Sequence, residues 1–177
     1  MHQMRKLNRD GFSLFEVMIA MAIIALAFLA LMTALTTGMR EDVVTKEQLL
    51  AMQSARATVE VMRNTTFSEI YKRYNSVTTD DPSTGSSPGS TFTITGLTPA
   101  TGYATVGRIE FPEIANALRE DVTDTELGMP RDLDGNGAVG ATSVSTTYRL
   151  LPVRIVIQWK VPNGSSTVKI VTFLAPK

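Results

Sequence analysis

Asp132, Asp134 and Asn136 alternate in the stretch MPRDLDGNGAVG, residues 129–140, and Gly137 follows directly. Three oxygen-bearing side chains at every second position, on a chain about to turn, are the donors a hard divalent cation takes. Other chemistries lack their parts. The chain has no cysteine, which removes disulfides, thiolate nucleophiles and cysteine-ligated metals together. Its one histidine is His2, so a Ser-His pair or a histidine-ligated metal has nothing to draw on. The net charge is +0, and no basic face for nucleic acid is implied.

The spacing D-x-D-x-N-G resembles the first half of an EF-hand-like calcium loop. The glycine permits the sharp turn, and the Ala138 carbonyl is the next donor in order. The position of the closing bidentate glutamate holds Ser143 instead. DVTDTEL lies just upstream, so Asp121, Asp124 or Glu126 is the expected source of the missing carboxylate. The same Asp-Gly and Asn-Gly pairs also make tight turns without any ion. A calcium site at Asp132, Asp134, Asn136 and Ala138 is therefore one reading, and a plain turn is the other.

The second chemically pointed residue is Glu16. It is the only ionisable side chain from Phe12 to Leu35, and from Val17 to Leu35 the only polar residue is Thr33. At 1.5 Å per residue, about 20 such residues cross a hydrocarbon core of ~30 Å. The run outlasts the roughly 7–15 apolar residues of a secretory signal, and no small-x-small cleavage site follows it. Retention as an anchor is expected. Arg5, Lys6 and Arg9 precede the run, which puts the N-terminus in the cytoplasm and the bulk of the chain outside, in the periplasm of a Gram-negative cell. A carboxylate at that depth is a functional candidate by default.

Gly11-Phe12-Ser13-Leu14-Phe15-Glu16, followed by VMIAMAIIALAFL, resembles the processing site of type IV prepilins and type II secretion pseudopilins. The resemblance implies cleavage between Gly11 and Phe12 by a prepilin peptidase, and N-methylation of the new terminal Phe12. Glu16 matches the family's glutamate, and the short basic leader MHQMRKLNRDG matches its leader. The implied role of Glu16 is to neutralise the Phe12 amine of a neighbouring subunit, since a buried charge is tolerated when paired. Implied partners are other pilins, the prepilin peptidase, an inner-membrane assembly platform and the inner membrane itself. After assembly the expected location is a cell-surface filament. Many major pilins carry a proline where this chain has Met32 to Leu35, and its absence implies a straighter helix.

These residues need elements to position them. The expected fold is α+β and pilin-like: a long N-terminal helix packed on a C-terminal antiparallel sheet. The expected segments are a leader at 1–11, a transmembrane helix at 12–37, its amphipathic continuation at 38–64 and an outer β domain at 65–177. Leu49, Met52, Ala55, Val59 and Met62 recur at three- and four-residue steps and form the expected buried stripe. A short helix or turn is expected in FSEIYKRYNSV, and an exposed, mobile loop at 80–90 in DDPSTGSSPGS. Strands are expected in TFTITGL (91–97) and YATVGRIEF (103–111), with a turn at ITGLTPATGY between them. LPVRIVIQWKV and TVKIVTFLA read as a hairpin around PNGSS, with Asn163 and Gly164 in the loop. Val153, Ile155, Ile157 and Trp159 fall on one face of that hairpin. Its strand character most resembles the minor pilins of the pilus-modification type. A structural subunit that initiates or caps a filament is the expected function, with no enzymatic activity. The alternative is a membrane-anchored periplasmic binding module with an uncut N-terminus.

Overall fold

The structure is a computed structural model that describes residues 13–162 and 164–177. The leader, Gly11, Phe12 and the loop residue Asn163 lie outside the described residues. The chain divides between Val44 and Thr45 into two units.

Helix α1 runs from Leu14 to Arg63 without a break. Its first half is rich in Ala, Leu and Met, strong helix formers, and holds no proline. Ser13 caps the start, its Oγ accepting the Phe15 N–H at 3.2 Å. Thr33 Oγ donates to the Leu29 carbonyl at 2.9 Å, so the lone hydroxyl of the apolar run is satisfied inside the helix.

In the second unit, the last turns of α1 bury Ala51, Ala55, Val59 and Met62. This corrects the expected stripe, because Leu49 is 56% exposed and Met52 40%. The buried arc is centred on Ala51 and Ala55, small side chains that lie wholly within the core. Hydrophobicity alone ranks leucine and methionine above alanine, whereas close packing selects the smaller residue. A 3-10 turn at Phe67–Glu69 and the short helix α2 (Ile70–Tyr74) follow, in the place expected from FSEIYKRYNSV. Tyr71 and Tyr74 are buried beneath the loops rather than offered to a partner. The loop at 80–90 is tied down by Arg73, whose guanidinium donates to the Thr84 and Ser86 carbonyls at 2.7 and 2.8 Å.

The main sheet has the order β1-β2-β5-β6, antiparallel throughout, from β1 (Thr91–Phe92), β2 (Gly107–Glu110), β5 (Leu151–Val161) and β6 (Gly164–Leu174). The expected C-terminal hairpin is present, with a tighter connection than expected: pairing continues to Val161↔Gly164, so Gly164 to Ser166 belong to the strand. Val153, Ile155, Ile157 and Trp159 are fully buried on the face toward α1, and Trp159 Nε1 donates to Glu47 Oε2 at 2.9 Å. The two earlier strands are shorter than their sequence patterns. Leu97 N–H bonds to the Ile94 carbonyl and Tyr103 N–H to the Ala100 carbonyl, both at 3.1 Å, turning the chain where alternation alone suggested strand. The expected turn within ITGLTPATGY thus takes residues from both strands.

A second hairpin, β3 (Glu113–Ile114) and β4 (Ala117–Leu118), has no strong sequence signal. Its two connecting residues, Ala115 and Asn116, both have positive φ, 51° and 62°. Asparagine tolerates that region and alanine does not. Ala115→Gly is expected to stabilise the domain by about 1 kcal/mol, seen as a higher thermal midpoint. An unchanged or lower midpoint would refute strain at this turn.

Candidate functional site

Two places carry the candidate residues. The first is the start of α1. Gly11 and Phe12 fall outside the described residues, but Glu16 sits exposed in the first turn of the helix. Ser13 and Glu16 are spaced as a capping box, and the serine half of that box forms. A carboxylate in the first turn also faces the positive end of the helix dipole. All residues from Ser13 to Val43 are exposed, including large apolar side chains such as Phe15, Ile24, Leu26 and Phe28. The helix is long and apolar enough to cross a membrane.

The second place is the acidic loop. Asp132 receives two backbone N–H groups, Gly135 on Oδ1 and Gly137 on Oδ2, both at 2.7 Å. Asp134 accepts the Asn136 N–H at 3.0 Å, and Asn136 Oδ1 accepts the Ala138 N–H at 2.8 Å. These bonds wrap the chain so that the alternating oxygens turn to one side, with Gly135 and Gly137 at positive φ where the turn demands it. The hydrogen bond from Gly137, then that from Gly135, outweigh slight desolvation and hold the Asp132 carboxyl below its ordinary value of 3.8.

The closing carboxylate was expected from Asp121, Asp124 or Glu126, and each of these is engaged elsewhere. Asp121 pairs with Arg119. Asp124 and Glu126 pair with Arg154 at 2.8 and 3.2 Å, and Glu126 also holds Lys169 at 3.0 Å. The residue that reaches the loop is Glu120, only 1% exposed. Its Oε1 accepts the Leu133 N–H at 2.8 Å and the Asp134 N–H at 3.2 Å, and its Oε2 accepts the Gly140 N–H at 2.9 Å. Carboxylate oxygens of Glu120, Asp132 and Asp134 lie within 4.8 Å of one another. The motif's spacing pointed to a carboxylate about eleven residues after Asp132, whereas tertiary structure supplies one from twelve residues before it. Nothing in the sequence R-E-D at 119–121 set Glu120 apart from its acidic neighbours.

The three diverted carboxylates have their own effect. Segment 119–131 lies over the outer face of the sheet, where Val156 is buried although the alternation put it on the polar side. Arg154 anchors that cover, bonding Glu110 at 2.6 Å as well as Asp124 and Glu126. Burial works to raise the Glu110 carboxyl, but hydrogen bonds from Arg108 and Arg154 outweigh it and hold it below 4.5. Asp124 is likewise held below 3.8: burial opposes, and the Leu127 N–H with Arg154 prevails. Depressed carboxylates stabilise the fold above their unfolded-state values and lose that contribution as pH falls through the folded ones. Stability is therefore expected to be level above about pH 5 and to decline below about pH 4.5. In Arg154→Met the decline should be shallower, as urea midpoints measured across that range would reveal.

A long apolar helix with a carboxylate in its first turn, leading into a helix-backed antiparallel sheet, has a pilin-like α+β layout. The chain matches the family described as the prokaryotic N-terminal methylation motif over residues 6–32. It thus carries the signature of type IV pilins and pseudopilins, whose members are structural and are processed by a prepilin peptidase. Nothing among the curated proteins or the solved structures matches the chain.

Proposed function

We propose that this chain is a minor pilin or pseudopilin, cut between Gly11 and Phe12, N-methylated on Phe12 and drawn from the inner membrane into a filament that it initiates or caps. The observation that carries this reading is the exposed apolar surface of α1, most of which lies within the matched methylation motif. Such a surface needs an apolar cover, first lipid and then the helices of other subunits. In that setting the new Phe12 amine and the Glu16 carboxylate of a neighbour neutralise each other and set the axial register. The outer domain lies on the periplasmic side before assembly.

Mass spectrometry of the native N-terminus tests the processing: N-methyl-Phe at residue 12 is expected, and an intact Met1 would leave the uncut binding module as the better reading. Glu16→Ala is expected to be cleaved normally and to enter filaments at least several-fold less than the parent, measured as the sheared-filament to membrane ratio. Normal entry would remove the pairing role.

The donor set at the acidic loop fits a hard cation. Glu120, Asp132, Asp134 and the Asn136 amide oxygen are all oxygen ligands, and three carboxylates this close repel unless a cation or N–H groups offset them. We infer that calcium binds there, with the Ala138 carbonyl as a further ligand, and acts as a staple in a domain without disulfides. Isothermal calorimetry with calcium on the full chain in detergent should give binding heat and a raised melting midpoint. Neither signal would leave the loop as a hydrogen-bonded turn.

A further inference from the structure

Tyr71, Tyr74 and Tyr148 are the buried tyrosines of the outer domain. Two of the three have satisfied hydroxyls. That of Tyr71 meets Glu113 Oε2 and the Asn116 carbonyl, both at 3.1 Å, and that of Tyr148 donates to the Phe67 carbonyl at 2.6 Å. Tyr74 is 4% exposed, yet among the described residues its hydroxyl has no hydrogen-bond partner. A buried tyrosine hydroxyl usually finds one. Nor is this hydroxyl sealed in. Among the described residues, the enclosed side-chain oxygens without a partner are Asp80 Oδ1 and Ser87 Oγ. The ring of Tyr74 packs inward, then, while its hydroxyl reaches the surface.

It does so where two hollows join. One is an apolar recess of about 250 Å³, walled by Ala57, Thr58, Val61, Phe92 and Ile109 among others, with no charged side chain in its lining. The second, of about 420 Å³, shares Val61, Tyr74 and Pro88 with it and adds Asn64, Glu69 and Arg73. Those two charges belong to each other, Arg73 meeting Glu69 at 2.7 Å. Val61, 56% exposed, is the large apolar side chain of α1 left bare at the junction.

The walls of the recess are held in place by the fold. A Cβ added at Gly107 would lie 2.3 Å from the Phe92 ring, so the glycine decides where that wall stands. The chain at Pro88 and Gly89 is pinned to α2: Gly89 N–H donates to the Arg73 carbonyl at 3.0 Å, and Arg73 Nη1 donates to the Ser86 carbonyl at 2.8 Å. A ligand that enters fixed walls loses little affinity to ordering them.

Size and polarity narrow the occupant. A cavity of about 150 Å³ holds one benzene, so this recess takes a ring-sized apolar body with a short substituent. An ion would shed its hydration there and meet no opposite charge. The lone hydroxyl calls for one oxygen to accept its proton. We propose that the recess is a binding site for a small uncharged amphipathic molecule, its apolar body between Val61 and Phe92 and its oxygen accepting the Tyr74 hydroxyl.

Benzamide is a suitable probe, a ring bearing one neutral carbonyl, and benzoate has nearly the same shape with a charge. Saturation-transfer NMR is recorded on the full-length chain in lipid nanodiscs, and the signal from empty nanodiscs is subtracted. Saturable benzamide binding is expected, with benzoate at least about ten-fold weaker. Tyr74→Phe should weaken benzamide about three- to ten-fold and leave the thermal midpoint unchanged, because the hydroxyl bonds nothing within the fold. Ala57→Leu fills the recess from an exposed helix position, so it should abolish binding and keep the midpoint. Absence of saturable binding to the parent overturns the proposal. Equal benzamide binding by the parent and either variant does so too, as does benzoate binding as tightly as benzamide. A Tyr74→Phe midpoint well below the parent's would also overturn it, since the hydroxyl would then be engaged by the fold itself.

Discussion

Glu120→Ala is expected to destabilise the outer domain by about 3–5 kcal/mol. The side chain is almost wholly buried and accepts three backbone N–H groups, from Leu133, Asp134 and Gly140. A buried donor left without an acceptor costs about 1–3 kcal/mol, and water can reach the two that are less enclosed. Two ends of the acidic loop hang on this one carboxylate, so its loss frees residues 133–140 as a unit. Glu120→Gln keeps the shape and one acceptor oxygen but sets an N–H₂ group against a backbone N–H, and its loss should be about half as large. The chain has a single tryptophan, Trp159, buried in the core, which makes urea unfolding by its emission a clean readout. Calcium should raise the midpoint of the parent and leave that of Glu120→Ala unmoved. Equal midpoints for parent and Glu120→Ala without calcium would refute the anchoring role.

Trp159→Ala is expected to cost about 3–5 kcal/mol, close to the whole stability of a small domain. Trp159 is among the largest fully buried side chains, packed between β5 and the helix, and its indole N–H is satisfied by Glu47. Removing it opens a cavity that the surrounding strands cannot fill, because β5 is held in register by partners on both sides. Trp159→Phe retains most of the apolar volume and loses only the bond to Glu47, so about 1–2 kcal/mol is expected. Far-UV circular dichroism melts, which do not depend on the tryptophan, measure both. A Trp159→Phe loss as large as that of Trp159→Ala would mean that the hydrogen bond to Glu47 contributes more than the packing.

Elements whose signal is local were legible. The helix from Leu14 follows from the uninterrupted apolar run, and β5 with β6 from strict alternation. The spacing of Asp132, Asp134 and Asn136 marked a turning loop, and the chain turns there with Gly135 and Gly137 at positive φ. The α+β layout with a helix-backed antiparallel sheet was readable for the same reason. Leu49 and Met52 were misplaced because helical periodicity fixes the period of a stripe but not which small or large residue faces the sheet. Strands 91–97 and 103–111 were overextended because alternating residues also serve turns when a neighbouring carbonyl takes the N–H.

By itself, then, the sequence determined the long apolar helix, the methylation motif with its glutamate and the long C-terminal hairpin, since each is a pattern within a few turns or one strand pair. Tertiary structure alone decided which carboxylate meets the acidic loop. Asp121, Asp124 and Glu126 carry the same chemistry as Glu120, but Arg119, Arg154 and Lys169 reach them first. Tertiary structure also decided that Val156 is covered and that β6 is left with a bare edge. Charges compete for partners in three dimensions, and a strand becomes an edge only when the whole sheet has been ordered.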